Sequence, residues 1–197
     1  MIRVGVGASL GTLTNAISAG PQPGVILNTD INGNAIQVGG AVANLINSGL
    51  VQVTNAGASA LHVVSGGSVG TVTNKATGQI TAAGTGGSAI LVDGNKSAIG
   101  TLSNSGLVQA SGTSGTAVDI RVNSSALTIS NTAAGTIQST GPQGVGIAVG
   151  GGVQIVGNAG VVQGSSIAVA VAAGGTIGAL SNQGTIQTTG TRPCGRI

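Results

Sequence analysis

One short phrase recurs along the chain: an aliphatic residue, two or three others, Leu, Val or Ile, one polar or small residue, then Asn. It ends at Asn15 (LGTLTN), Asn47 (VANLIN), Asn74 (VGTVTN), Asn104 (IGTLSN), Asn131 (LTISN), Asn158 (VQIVGN) and Asn182 (IGALSN). Successive asparagines lie 32, 27, 30, 27, 27 and 24 residues apart, a period just under 28. A period of this length marks a chain built by stacking similar units, each too small to enclose a core alone.

Two further segments travel with each asparagine. A Gly followed by an aliphatic and a polar residue comes directly after it, as in SGLVQ (Ser48–Gln52), TGQIT (Thr77–Thr81) and AGTIQ (Ala134–Gln138). Later comes Ala or Gly with an alternating pair, as in ALHV (Ala60–Val63), AILV (Ala89–Val92), AVDI (Ala117–Ile120) and GIAV (Gly146–Val149). Alternation of apolar with polar or small residues is the signature of a strand with one buried face. Glycine-rich stretches between them supply turns, some needing positive φ. No segment shows a capped 3.6-residue period, so the chain is expected to hold essentially no helix.

Three short strands per unit, stacked like on like, give an all-β parallel β-helix of six to seven coils. The array is expected over residues 1–190, with 191–197 an irregular tail. At about 4.8 Å per coil the rod is about 30 Å long. Val118, Ile120, Leu127, Ile129 and Ile137 form the expected inward set of one unit. Each asparagine falls two residues beyond an inward aliphatic, which aims its side chain into the lumen. A buried amide must be hydrogen-bonded, and an amide one rung away offers both donor and acceptor. The expectation is an Asn ladder through Asn15, Asn47, Asn74, Asn104, Asn131, Asn158 and Asn182; solvent-facing turn asparagines are the alternative.

Composition fits a narrow lumen filled in columns. The chain has no Phe, Trp or Tyr, 38 Gly and only 5% charged residues. A large ring in one coil would need a vacancy in the next, and a charge repeated at one position stacks against its own copy. The same numbers exclude functions. Six dispersed Lys and Arg form no stripe for phosphates, and base stacking has no aromatic platform, so no nucleic-acid partner is expected. The most apolar window, Val161–Leu180, is broken by Gly and Ser, and aromatic girdles are lacking, so this segment is not expected to insert in a membrane. The N-terminal MIRVGVGASLG lacks the apolar run of a secretory signal. Cys194 stands alone near the end and is read as an incidental thiol.

The phrases IGTLSNSGLVQASGTSGTAVDI (Ile99–Ile120) and GGTIGALSNQGTIQTTG (Gly174–Gly190) resemble the passenger repeats of Gram-negative autotransporters and related large surface adhesins. The resemblance covers about residues 10–190. It implies a right-handed β-helix, the handedness coming from the likeness alone. It also implies an extracellular or cell-surface rod for adhesion, aggregation or display, with a host or neighbouring-cell surface, protein or glycan, as partner. The chain shows no translocator barrel and no capping segment, and TRPCGRI breaks the idiom. It therefore reads as a piece of a longer passenger, with open coil ends prone to self-association.

Enzymes also use β-helices, so a polysaccharide lyase or hydrolase fragment is the alternative. Glycosidic cleavage generally needs paired carboxylates, and the only acids are Asp30, Asp93 and Asp119. Stacking AILV on AVDI puts Asp93 beside Arg121, with Asp119 diagonal to it next to Leu91. That is read as a surface charge cluster, not a catalytic site. His62 shares a column with Asp119 two coils away, too far for acid–base partnership, and is expected to be exposed. One His and scattered Asp make no metal site, and no catalytic residue or cofactor is assigned. A surface- or ice-binding solenoid ranks third. Its Thr12/Thr14 and Thr71/Thr73 pairs are read as interrupted by Leu45/Asn47, and later by Ser103 and Ser130. The Pro-containing stretches Gly20–Val25 and Gly141–Gly144 are expected to protrude as loops.

Overall fold

The computed structural model describes residues 1–16, 23–31 and 33–190. Those residues form 21 strands and no helix. The strands assemble into three sheets of seven, every pairing parallel. The molecule is a β-solenoid: each turn of chain contributes one strand to each sheet.

The fourth coil shows the plan. Ser88–Val92 lies in the first sheet, Ala98–Asn104 in the second and Leu107–Ala110 in the third. The fifth coil repeats it with Thr116–Ile120, Ser125–Asn131 and Thr136–Ser139. Register is like on like, with Ile90 over Leu61 and under Val118, and Leu102 between Val72 and Ile129. In the third sheet Val108 lies between Ile80 and Ile137. These side chains are fully buried and line one continuous lumen. Burial removes roughly 1.5–3 kcal/mol of apolar exposure per large aliphatic, but only because a neighbouring coil covers it.

The second-sheet strands do not alternate strictly. Inward positions fall at the second, fifth and seventh residues: Ile99, Leu102 and Asn104, or Ala126, Ile129 and Asn131. Each strand bends at its third residue, where the ladder skips a pairing. Leu127 occupies that bend and is half-exposed, so its expected inward placement is wrong and Ala126 fills the lumen instead. Strict alternation counted back from Ile129 misses the bend by one residue, and one residue exchanges the faces.

The corners are stacked too. Gly57, Gly86, Ser114 and Gln143 follow one another at one corner, all with positive φ. They are linked through main-chain bonds Gly57 N–H to Thr85 O, Gly86 N–H to Thr113 O and Ser114 N–H to Pro142 O. Gly141–Gly144 is therefore an ordinary four-residue corner, not the expected protruding loop. Pro142 fits because that position's carbonyl, not its N–H, makes the inter-coil bond. Of Gly20–Val25 only Pro23, Gly24 and Val25 fall within the described residues, and the 191–197 tail lies outside them.

Candidate functional site

The recurring asparagines meet in a single file. Each sits at the last residue of its second-sheet strand, and the register pairs Asn15, Asn47, Asn74, Asn104, Asn131, Asn158 and Asn182 in sequence. Nδ2 of each donates to Oδ1 of the next at 2.7–2.8 Å. The other amide proton is shared. In Asn104, Nδ2 lies 3.1 Å from the carbonyl oxygen of Gly106 in its own coil and 3.1 Å from that of Thr136 in the next. Asn47, Asn74 and Asn104 have no solvent exposure, which excludes solvent-facing turn asparagines. Only Asn182, in the last coil, is exposed.

The glycine that follows each asparagine has the same cause. A Cβ on Gly135 would collide with the Asn104 carbonyl and the Asn131 amide oxygen, and would lie 3.0 Å from Asn104 Nδ2. The ladder needs that space empty. From Asn15 to Asn158 every side-chain amide donates to the next rung, which makes the ladder a structural spine.

The charged cluster lies where stacking places it. Arg121 Nε donates to Asp119 Oδ2 at 3.0 Å and Nη1 to Asp93 Oδ2 at 3.2 Å, and Leu91 pairs with Asp119. Burial pushes the Asp119 carboxyl above its usual range, outweighing the opposing hydrogen bond and charge of Arg121. For Arg121, burial works to lower the pKa, but the hydrogen bond to Asp119 and the two carboxylate charges leave it raised. One guanidinium thus holds both carboxylates. The cluster borders an open apolar furrow of about 430 Å³ lined by Val122, Ala148, Val149, Ala170 and Val171. Asp30 lies apart from it near the first coil, where its main-chain oxygen accepts from Asn55 Nδ2.

His62 corrects the expectation of an exposed ring, being partly buried and partnered. Ser59 N–H donates to Asn34 Oδ1 at 2.8 Å, which turns Asn34 Nδ2 toward His62 Nδ1 at 3.1 Å. Nδ1 must therefore accept, and the ring proton sits on Nε2. Burial lowers the pKa of His62, with Asp93 opposing and Arg121 reinforcing. Leu91 separates it from Asp119 in the column, as the spacing implies. Asn34 lies outside the repeated phrase, so no periodicity points to it.

Register also realigns the hydroxyl columns. Thr12/Thr14 is followed by Asn44/Ile46, not Leu45/Asn47, and then by Thr71/Thr73, Thr101/Ser103 and Thr128/Ser130. Three consecutive coils thus carry an unbroken pair of hydroxyl columns, ended by Ile155/Gly157. The third sheet carries outward glutamines in register, Gln109, Gln138, Gln163 and Gln187. Gln187 Nε2 donates to Gln163 Oε1 at 2.9 Å.

Among the described residues no cluster of three His, Cys, Asp or Glu could hold a metal, and no helix is long and apolar enough to cross a membrane. Cys194 lies outside those residues. No family model, curated protein or solved structure matches the chain.

Proposed function

We propose that the chain is a non-catalytic rod segment of a secreted or cell-surface protein of the autotransporter passenger type, making adhesive contact through its outward faces. The observation that carries this reading is the glutamine column on the third sheet. Four coils present side-chain amides at one fixed rise, each a donor and an acceptor. Such a face suits hydroxyl-rich glycans or exposed peptide groups on a host or neighbouring cell. The passenger-like wording of Ile99–Ile120 and Gly174–Gly190 supports the same reading. The commitment of Asp93 and Asp119 to Arg121 weighs against a polysaccharide-degrading alternative.

The labelled chain is tested on glycan arrays and on epithelial and bacterial cells. Replacing Gln138 and Gln163 together with Ala is expected to weaken retention about tenfold, the loss of one to two net hydrogen bonds, with the fold unchanged. Unchanged retention sinks the assignment of this face. Polysaccharide cleavage by the native chain that disappears in Asp93→Asn or Asp119→Asn favours the enzyme instead.

The three-coil hydroxyl lattice favours one second reading, binding to an ordered surface such as ice. Its measure is thermal hysteresis that disappears on Thr101→Val.

A further inference from the structure

Outward residues of the second sheet stand at the first, third, fourth and sixth positions of each strand, and none of them is charged. Bulk is unevenly spread along this face. In the first four coils the third position holds only Gly11, Ala43, Gly70 and Gly100. The fifth and sixth coils place Leu127 and Gln154 there, with Ile155 at the next position. Leu127 is 50% and Ile155 47% exposed, although coils lie above and below both. Over the first three coils the small residues leave an open furrow of about 390 Å³, lined by Leu10, Val42, Ala43 and Gly70.

The bulk and the furrow fit each other under one operation. A two-fold axis along the strand direction, between the third and fourth coils, turns the rod end over end and lays the face on its own copy, position opposite position. The fourth coil then faces the third, the fifth the second and the sixth the first. Leu127 meets Ala43 at the furrow, Gln154 meets Gly11 and Ile155 meets Thr12. Other large residues also find smaller partners, Ile46 facing Ser130 and Asn44 facing Thr128. At the rim Lys75 faces Ser105 and Lys96 faces Gly66, so no like charges are opposed. A two-fold axis along the rod would instead set each coil against its own copy, bulk on bulk.

Six facing strands of seven residues cover about 23 by 29 Å. That is roughly 1,300 Å² over two copies, within the range of about 1,200–2,000 Å² of a stable pair. We propose that a second copy of this chain packs antiparallel on the second-sheet face, with Leu127 of each copy seated in the furrow at the partner's Ala43. The contact lies on the side of the rod and uses neither end of the coil stack. The glutamine column stands on the third sheet and stays open, so the pair does not rest on the adhesive reading. It covers the hydroxyl lattice, so the pair and the ordered-surface reading exclude each other.

The test is analytical ultracentrifugation of the full chain. At about 100 μM, above the micromolar limit for interfaces of this size, the native chain should sediment as a dimer. Leu127→Asp removes the apolar anchor and Ala43→Arg fills the furrow; both positions are exposed, so each variant is expected to keep its β-type circular dichroism. Each alone should dimerise at least about tenfold more weakly. Their equal mixture should regain that factor as a heterodimer, because one contact stays native and the other sets carboxylate against guanidinium. If either variant loses its spectrum, Gln154→Asp and Gly11→Arg replace the two, since a Cβ at Gly11 meets no atom within 4 Å. A monomeric native chain, a folded Leu127→Asp variant that dimerises like the native chain, or a mixture no tighter than its parts would each overturn the proposal.

Discussion

Ala98–Asn104 reads AIGTLSN and Thr176–Asn182 reads TIGALSN, yet the two strands live in different surroundings. In the fourth coil Leu102 and Asn104 are sealed; in the seventh Leu180 is half-exposed and Asn182 is open. The words are nearly the same, so the difference cannot lie in local preference. A coil in this rod has no interior of its own and acquires one from the coil above. Position in the stack, more than sequence, decides what each side chain contributes.

The largest effect should separate the two leucines. Leu102→Ala is expected to cost about 2–5 kcal/mol in denaturant unfolding, because its cavity is walled by Val72 and Ile129. Leu180→Ala should cost roughly 1 kcal/mol or less, since half of the side chain already meets water. Equal losses would mean that the last coil is covered in solution.

The asparagines come next. Asn104→Ala leaves Asn74 Nδ2 without its acceptor and Asn131 Oδ1 without its donor, both in the dry lumen. Stranding buried polar groups costs about 1–3 kcal/mol each, so the variant should lose at least roughly 2 kcal/mol. Asn182→Ala takes the acceptor from Asn158 Nδ2 and Gly184 N–H, both at the wet end, and should fall within roughly 1 kcal/mol of the native chain. Thermal melts of the two variants give the comparison directly.

The smallest effect lies in the outward column that runs from Arg3 through His62 and Asp119 to Ala170. His62 has a lowered folded pKa, so the unfolded chain takes up the proton first. Its stabilising contribution is complete above the ordinary value of 6.5 and is lost as pH falls below it. Asp119 acts in the opposite sense: its folded pKa is raised, so its contribution is complete below 3.8 and is lost as pH rises through the raised value. A stability profile should therefore decline on acidification from neutrality, and His62→Gln should flatten that limb. Ala170→Ser, in the same column at the end, should leave it unchanged. A native limb as flat as that of His62→Gln would mean that Asn34 does not hold the ring neutral.

Much of this rod is legible in the residues because each coil repeats its neighbour's problem. The asparagine spacing predicts the ladder, and laying AILV on AVDI predicts that Arg121 reaches Asp93. Leu127 is misjudged because the bend at the third residue of its strand leaves no mark in an alternating pattern. The threonine columns are misjudged by one residue at Asn44/Ile46, enough to exchange inside for outside. Asn34 is invisible for another reason: it stands before the paired residues of its strand, and only the folded chain brings it to His62.

Spacing between ladder asparagines ranges from 24 to 32 residues, yet every second-sheet strand keeps seven residues and the same six paired positions at both extremes. Among the described residues, length variation therefore lies outside the second-sheet strands, in the connections and in first-sheet strands that run from three residues to five. A foreign peptide spliced into one of those connections would be carried outward on the shaft, while the same insertion inside a strand would shear every step beyond it. The scaffold thus separates what it exposes from what keeps it standing.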